Sequence, residues 1–167
     1  RACELKLGSG CRQLGIMFAN GKGVSQNLKS AADLFEAGCR YEDGLSCAFL
    51  AEAYGRGLGR TANLDMSLQF YVKACDLDEP QGCTQLATMY RTGSQGPRDP
   101  QKAAALYQKA CNAGHHKGCA FLATMKWLGD GVEKDRAAAQ SLLSGACRDG
   151  YAPACRQKSA LESSTRP

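Results

Sequence analysis

Apolar residues recur along the chain at intervals typical of amphipathic helices. Counted from Cys47 as position 0, positions 0, 3, 4 and 7 hold Cys47, Leu50, Ala51 and Tyr54. This spacing marks one face of a helix with about 3.6 residues per turn. The pattern recurs at 36-residue intervals, with Lys126 replacing the aromatic residue in the last copy. The sequence therefore predicts several copies of one amphipathic helix.

Each copy also contains a second predicted helix. Glycine is suited to end the first helix in a left-handed conformation, and it recurs at Gly21, Gly57, Gly93 and Gly129. Side-chain oxygens that can cap a following helix recur at Asn27, Asn63, Asp99 and Asp135. The helices are predicted near 11–20, 28–40, 47–56, 64–76, 83–92, 100–112, 119–128, 135–148 and 153–161.

The cysteines follow the same period. The first of each pair is Cys3, Cys39, Cys75, Cys111 or Cys147, and its partner eight residues on is Cys11, Cys47, Cys83, Cys119 or Cys155. Repeated helix pairs without a strand pattern predict an all-α solenoid of antiparallel helix pairs. We expect a single domain over 1–167, with a partial repeat 1–10, repeats 11–46, 47–82, 83–118 and 119–154, a capping helix near 153–161 and a tail 162–167.

Composition adds an expected compartment. Ten cysteines and two histidines in 167 residues favour disulfides over metal sites, which indicates a secreted or periplasmic protein. No apolar run reaches the roughly 20 residues of a membrane helix. The net charge of +5 is spread without a basic run, so nucleic acid is not an expected partner. Residues 1–6 resemble the end of a second helix, which indicates a fragment of a longer array or a mature form with an unusual start.

Four segments carry a resemblance to a known family: LGIMFANGKGV, LAEAYGRGLG, KAAALYQKAC and MKWLGDGVEKD. They resemble the Sel-one-like repeat (SLR), a relative of the tetratricopeptide repeat. With a cysteine pair in every unit, the chain is most similar to the cysteine-rich secreted members known from Helicobacter. The resemblance implies a right-handed superhelix whose concave side, lined by the first helices, often binds protein.

Each cysteine pair joins the last turn of a second helix to the start of the next first helix. The pairing that serves all copies equally is local: Cys3–Cys11, Cys39–Cys47, Cys75–Cys83, Cys111–Cys119 and Cys147–Cys155. The alternative is a zinc site formed by Cys111, His115, His116 and Cys119. Because both histidines occur in a single copy, we predict structural disulfides, with no metal and no cofactor.

Catalytic motifs are not evident in the sequence. Cysteine-rich members of the resembled family are associated with penicillin binding and β-lactam hydrolysis, yet no serine is followed by lysine three residues on. Arg91-Thr92-Gly93 resembles a Lys-Thr-Gly element, but the repeat already explains its glycine. We therefore predict no catalytic residue and a protein that is not an enzyme, with β-lactam binding or weak hydrolysis as the alternative.

Positions 2, 6 and 9 of each first helix vary between copies and point away from the repeated face. With Trp127 as a further anchor, this stripe supplies our expected partner contacts, which are Gln13, Met17, Asn20, Phe49, Arg56, Gln85, Met89, Phe121, Met125, Trp127 and Leu128. The alternative is that some of the Phe and Met residues are core between repeats. Trp127, in turn, could instead cap the last repeat.

These observations predict a monomeric, non-catalytic scaffold that binds a protein or peptide on the concave first-helix surface. A host-interaction factor and an immunity protein that neutralises a toxin fit the sequence equally. For a eukaryotic source, an assembly factor of the mitochondrial intermembrane space is a further alternative.

Overall fold

The computed structural model describes Cys3, residues 7–94 and residues 96–163. Within these residues the chain forms nine α-helices and no β-strand. The helices are α1 (Gly8–Asn20), α2 (Leu28–Arg40), α3 (Gly44–Arg56), α4 (Leu64–Asp76), α5 (Pro80–Thr92), α6 (Pro100–Asn112), α7 (His116–Leu128), α8 (Arg136–Arg148) and α9 (Ala152–Ser163). The predicted fold class, all-α helix pairs repeating every 36 residues, is confirmed.

The chain divides into two compact units, residues 1–86 and residues 87–167. In the first unit α1 packs on α2, α2 on α3 and α3 on α4; in the second, α6 packs on α7, α7 on α8 and α8 on α9. The single domain and the right-handed superhelix concern the whole chain and remain predictions. Half of the predicted partial repeat and most of the predicted tail lie outside the described residues.

Long turns separate the two helices of a repeat. They start at a left-handed glycine, as with Gly57 at φ 70° and Gly129 at φ 76°. They end at a residue whose side-chain oxygen accepts a hydrogen bond from a backbone N–H three residues on, 2.8 Å away for Asp135. The same bond is made by Asn27, Asn63 and Asp99. The predicted caps are therefore confirmed, and together they fix where each second helix begins.

Short turns of three residues connect one repeat to the next. Their middle residue is left-handed in all four copies: Glu42 at φ 60°, Asp78 at φ 55°, Gly114 at φ 79° and Gly150 at φ 87°. A side chain in this conformation is strained, so the first two turns are less favourable locally than the last two.

First helices begin about three residues earlier than the periodicity predicts. α3 starts at Gly44, not at Cys47, and α7 starts at His116, not at Cys119. Apart from Leu45, the added turn carries glycine, proline or polar residues, so it adds no periodic apolar signal. In α3 the start is fixed by Asp43, whose carboxylate accepts a hydrogen bond from the Ser46 N–H at 2.9 Å.

The five disulfides join the residues predicted by the local pairing. Their Cα atoms lie 4.4 Å apart for Cys3–Cys11, 4.6 Å for Cys39–Cys47, 4.5 Å for Cys75–Cys83 and Cys111–Cys119, and 4.8 Å for Cys147–Cys155. The last four bonds each tie the end of one repeat to the first helix of the next across a short turn. One disulfide per repeat is therefore confirmed.

Candidate functional site

The predicted stripe of partner contacts is not uniformly accessible. Leu128, with 64% of its surface exposed, and Met17, with 38%, lie open to solvent. The whole set divides into exposed Gln13, Met17, Asn20, Arg56 and Leu128, half-buried Phe49, Gln85, Met89 and Phe121, and buried Met125 and Trp127. Most of the stripe can therefore contact a partner, while two of its members cannot.

Position 2 of the first helix connects neighbouring repeats. The Phe49 ring lies 5.0 Å from that of Phe35 on the preceding second helix, with the two planes inclined by 38°. The Phe121 and Tyr107 rings repeat this geometry at 5.2 Å and 39°. The half-buried Phe residues of the stripe therefore make the packing contact between repeats that the alternative interpretation expected. Their role as partner contacts remains a prediction.

Gln85 occupies the same position and has a polar equivalent of this contact. Its side chain is hydrogen-bonded to the hydroxyl of Tyr71, which lies on α4. Burial and, to a smaller extent, the negative charge of Glu52 raise the pKa of Tyr71 to about 12, against the opposing effects of Gln85 and Arg56. Gln85 is thus partly engaged within its own unit.

Trp127, expected as an anchor for a partner, is buried instead. It is only 8% exposed and packs in a cluster with Ala139 and Leu143 of α8 and Ala154 of α9. Comparison of repeats suggested a non-structural residue because the equivalent positions hold Ala19, Gly55 and Arg91. The small side chains of α8 and α9 instead make room for the indole, which closes the core of the last repeat.

Met125, also expected as a partner contact, is buried as well. It is 1% exposed and packs with Ala104, Tyr107 and Leu122. Its burial makes it a core residue and removes it from the set of partner contacts.

An open apolar pocket lies between α1, α2 and α3 and brings together two predicted contacts, Asn20 and Phe49. We call it the Phe49 pocket; its volume is about 240 Å³. Its apolar lining includes Ile16, Ala19, Leu28, Ala31, Phe49 and Ala53. Polar groups come from Asn20 and from Glu52, whose carboxylate is paired with Arg56 at 2.6 Å.

The second unit has an equivalent site 72 residues further on. We call it the Phe121 site; its volume is about 130 Å³, and it is lined by Arg91, Phe121, Thr124, Met125, Leu128 and Asp130. Met125 stands where the Phe49 pocket has Ala53, and Arg91 stands where it has Ala19. The buried thioether and the guanidinium occupy space that two alanines leave open. These larger side chains contribute to the smaller volume of the Phe121 site.

The zinc alternative is not compatible with this structure. Cys111 and Cys119 are bonded to each other, so neither has a thiolate to offer a metal. Among the described residues no group of three or more His, Cys, Asp or Glu side chains could hold a metal ion. Burial lowers the pKa of His115, and the charges of Lys117 and His116 lower it further.

Across the described residues, no helix combines the length and the hydropathy that crossing a bilayer requires.

The repeated helix pairs, the disulfide at each repeat junction and the pockets between first helices define a helical repeat scaffold. Its family is shown by the Sel1 repeat, which matches residues 8–40, 44–79, 80–115 and 116–151. The chain belongs to the Sel1 repeat family. The resemblance inferred from the sequence is therefore confirmed.

Several solved structures are similar to this chain. A protective antigen of uropathogenic Escherichia coli, c5321, matches 96% of the chain at 26% identity with a TM-score of 0.85. Cysteine-rich protein B of Helicobacter pylori matches 78% of it at 30% identity, with a TM-score of 0.63 and 93% of the Helicobacter chain covered. The immunity protein Pa5087 of Pseudomonas aeruginosa matches 88% at 21% identity with a TM-score of 0.65, which supports the fold alone.

The chain spans 34% of the E. coli antigen and 55% of the Pseudomonas protein. No curated protein matches the sequence.

Proposed function

We propose that the protein is a binding scaffold for another protein or peptide, and that the Phe49 pocket receives an apolar side chain of that partner. The observation that carries the proposal is an open pocket with mainly apolar walls on the predicted stripe. Its volume of about 240 Å³ lies below the roughly 300–1,000 Å³ of small-molecule sites, which favours a side chain over a cofactor.

The residues around the pocket suit this role. Leu28, which lines the pocket, is 36% exposed, and Met17, one helical turn before Asn20 on α1, is 38% exposed, so apolar side chains on both helices are accessible to a partner. Glu52 and Arg56 on α3 add a polar edge that can orient a peptide backbone. An apolar anchor within a polar rim is the usual arrangement of protein interfaces.

The proposed compartment is extracytoplasmic and oxidising. Support comes from the disulfide in every repeat and from the 30% identity to the Helicobacter cysteine-rich protein. Within that compartment we propose two finer roles, a host-interaction factor or an immunity protein. A neighbouring gene for a secreted toxin would favour the second, and its absence would favour the first.

The variant Ala53→Met tests the pocket, because Met occupies the equivalent position in the second unit. Random 12-residue peptides displayed on messenger RNA are selected against the oxidised full chain, and the affinity of the enriched peptides is measured by fluorescence anisotropy. We expect Ala53→Met to weaken binding by roughly tenfold or more, since losing one buried anchor costs about 1.4 kcal/mol or more.

The matched control is Ala105→Met, which adds the same side chain at an exposed position of α6. It should leave the affinity unchanged. Selection of no peptide above the bead background, or equal binding by the Ala53→Met variant, would contradict the proposed function.

A further inference from the structure

Two cations lie near the Phe121 ring: Arg91, which lines the Phe121 site, and Lys117, which lies one turn before Phe121 on α7. The guanidinium carbon of Arg91 lies 5.7 Å from the centroid of the Phe121 ring, and Nζ of Lys117 lies 5.9 Å from it. Both are within the range of a cation–π contact. The ring therefore helps to position two positive charges beside an apolar surface that includes the exposed Leu128.

Neither cation is neutralised by an acidic side chain of the described residues. Asp130, the acidic residue of the site, forms an ion pair with Arg98, whose Nη2 lies 2.6 Å from both carboxylate oxygens. The Nε of Arg91 is buried with no acceptor among the described residues, so packing on Phe121 holds this side chain without an ion pair. The positive charge of Arg91 and Lys117 is available to an external anion.

The Thr124 hydroxyl is already engaged and does not compete for that anion. It donates to the carbonyl oxygen of Ala120 at 3.1 Å and accepts from the side chain of Gln157 at 2.5 Å. The two cations are thus the polar groups of the site that remain open.

Helix stability does not explain the position of Lys117. It lies in the first turn of α7, where the partial positive charge of the helix terminus disfavours a cation. The second unit as a whole also carries a net positive charge. Residues 87–167 carry twelve Lys or Arg against six Asp or Glu, whereas residues 1–86 carry nine against ten. An acidic partner would be attracted to the second unit and not to the first.

We propose that the Phe121 site binds an Asp or Glu side chain of a partner protein, with a neighbouring apolar residue of the partner lying on Leu128. The inference rests on the proposed function and specifies the chemistry of the partner. The carboxylate accepts hydrogen bonds from Arg91 and Lys117. Leu128 and the Phe121 ring select an apolar neighbour.

The test uses the same peptide selection on the oxidised full chain and examines which residues are enriched. We expect peptides with Asp or Glu next to Leu, Ile or Phe. Replacing the acidic residue by its amide should weaken binding roughly tenfold, as expected for a charge-assisted hydrogen bond at a half-exposed site. Binding should also weaken with increasing salt.

Variants of the chain identify the responsible charges. Arg91→Ala places at this position the residue that the first unit has as Ala19, and Lys117→Gln removes the second cation. Each should lower the affinity for acidic peptides, while Arg91→Lys should retain most of it. Arg148→Gln removes one positive charge from the exposed end of α8 and serves as a control that should change little.

The results separate this inference from the proposed function. Peptides that require an open Phe49 pocket but show no acidic preference would overturn the inference and leave the scaffold role standing. Acidic peptides that bind equally to wild type, Arg91→Ala and Lys117→Gln would also overturn it. Acidic peptides whose binding is lost in Arg91→Ala but unchanged in Ala53→Met would support the Phe121 site and refute the Phe49 pocket.

Discussion

Two single variants, Met125→Ala and Ala53→Met, test whether these equivalent positions differ in packing as the structure shows. Met125→Ala removes a side chain that is 1% exposed, and Ala53→Met introduces the same side chain at a position that borders an open pocket. The chemical change is equal and opposite. The expected effects on the free energy of unfolding are not, because only one of the two sites has space available.

The magnitudes follow from burial. Met125→Ala loses roughly 0.8 kcal/mol for each buried methylene-sized group, about 2 kcal/mol in all, and the cavity left behind brings the loss to about 3 kcal/mol. Ala53→Met gains a similar transfer energy, offset by about 1.5 kcal/mol of lost side-chain freedom. We therefore expect a change within about 1 kcal/mol of zero.

Equilibrium urea unfolding followed by circular dichroism at 222 nm, with all disulfides intact, measures both variants. Repeat proteins can unfold in stages, so the midpoints are compared only where the transition slope is unchanged. A loss of more than about 2 kcal/mol in Ala53→Met would mean that the Phe49 pocket is not open. A loss below about 0.5 kcal/mol in Met125→Ala would mean that Met125 is not packed.

Three further variants test the repeat junctions. Replacing Cys75 and Cys83 together by Ala should lower the free energy of unfolding by about 2.5 kcal/mol, because the nine-residue loop is no longer closed in the unfolded chain; an unchanged urea midpoint would refute this. Glu42→Gly should stabilise by about 0.5 kcal/mol, since it relieves a left-handed residue where Gly114 already stands, and a lower melting temperature would contradict it. His115→Gln should flatten the pH dependence of stability below the ordinary histidine pKa of 6.5. The folded-state pKa of His115 is lowered, so on acidification the unfolded chain takes up this proton first, and the wild type loses stability as pH falls from 7 to 5. Equal melting curves of the two proteins over that range would refute the assignment.

Local features of the chain could be predicted because they depend on neighbouring residues. The long turns follow from glycines that accept a left-handed conformation and from caps such as Asn63, which bonds the backbone N–H of Met66 at 3.0 Å. The disulfide pairing follows from a separation of eight residues across a short turn. The extra first turn of α3 was missed because Gly44 and Leu45 lie outside the apolar repeat and give no periodic signal.

The candidate site could be predicted only in part. The predicted stripe includes Asn20 and Phe49, which both line the Phe49 pocket. Helix geometry gives the direction of a side chain but not what lies opposite it. Met125 and Trp127 point to neighbouring helices whose small residues leave space for them, and both are buried.

The sequence by itself determined the repeat length, the helix pairs, their caps, the disulfide at each junction and the family. These are properties of a 36-residue unit and its connection to the next, so one period contains the information. Tertiary structure alone decided which variable residues are accessible. Ala53 borders the Phe49 pocket of about 240 Å³, whereas Met125 lines the smaller Phe121 site of about 130 Å³. Arg91 lies against the Phe121 ring, and the equivalent position in the first unit is Ala19. Such differences depend on the combined volume and charge of side chains from separate helices, which the pattern along a single helix does not specify.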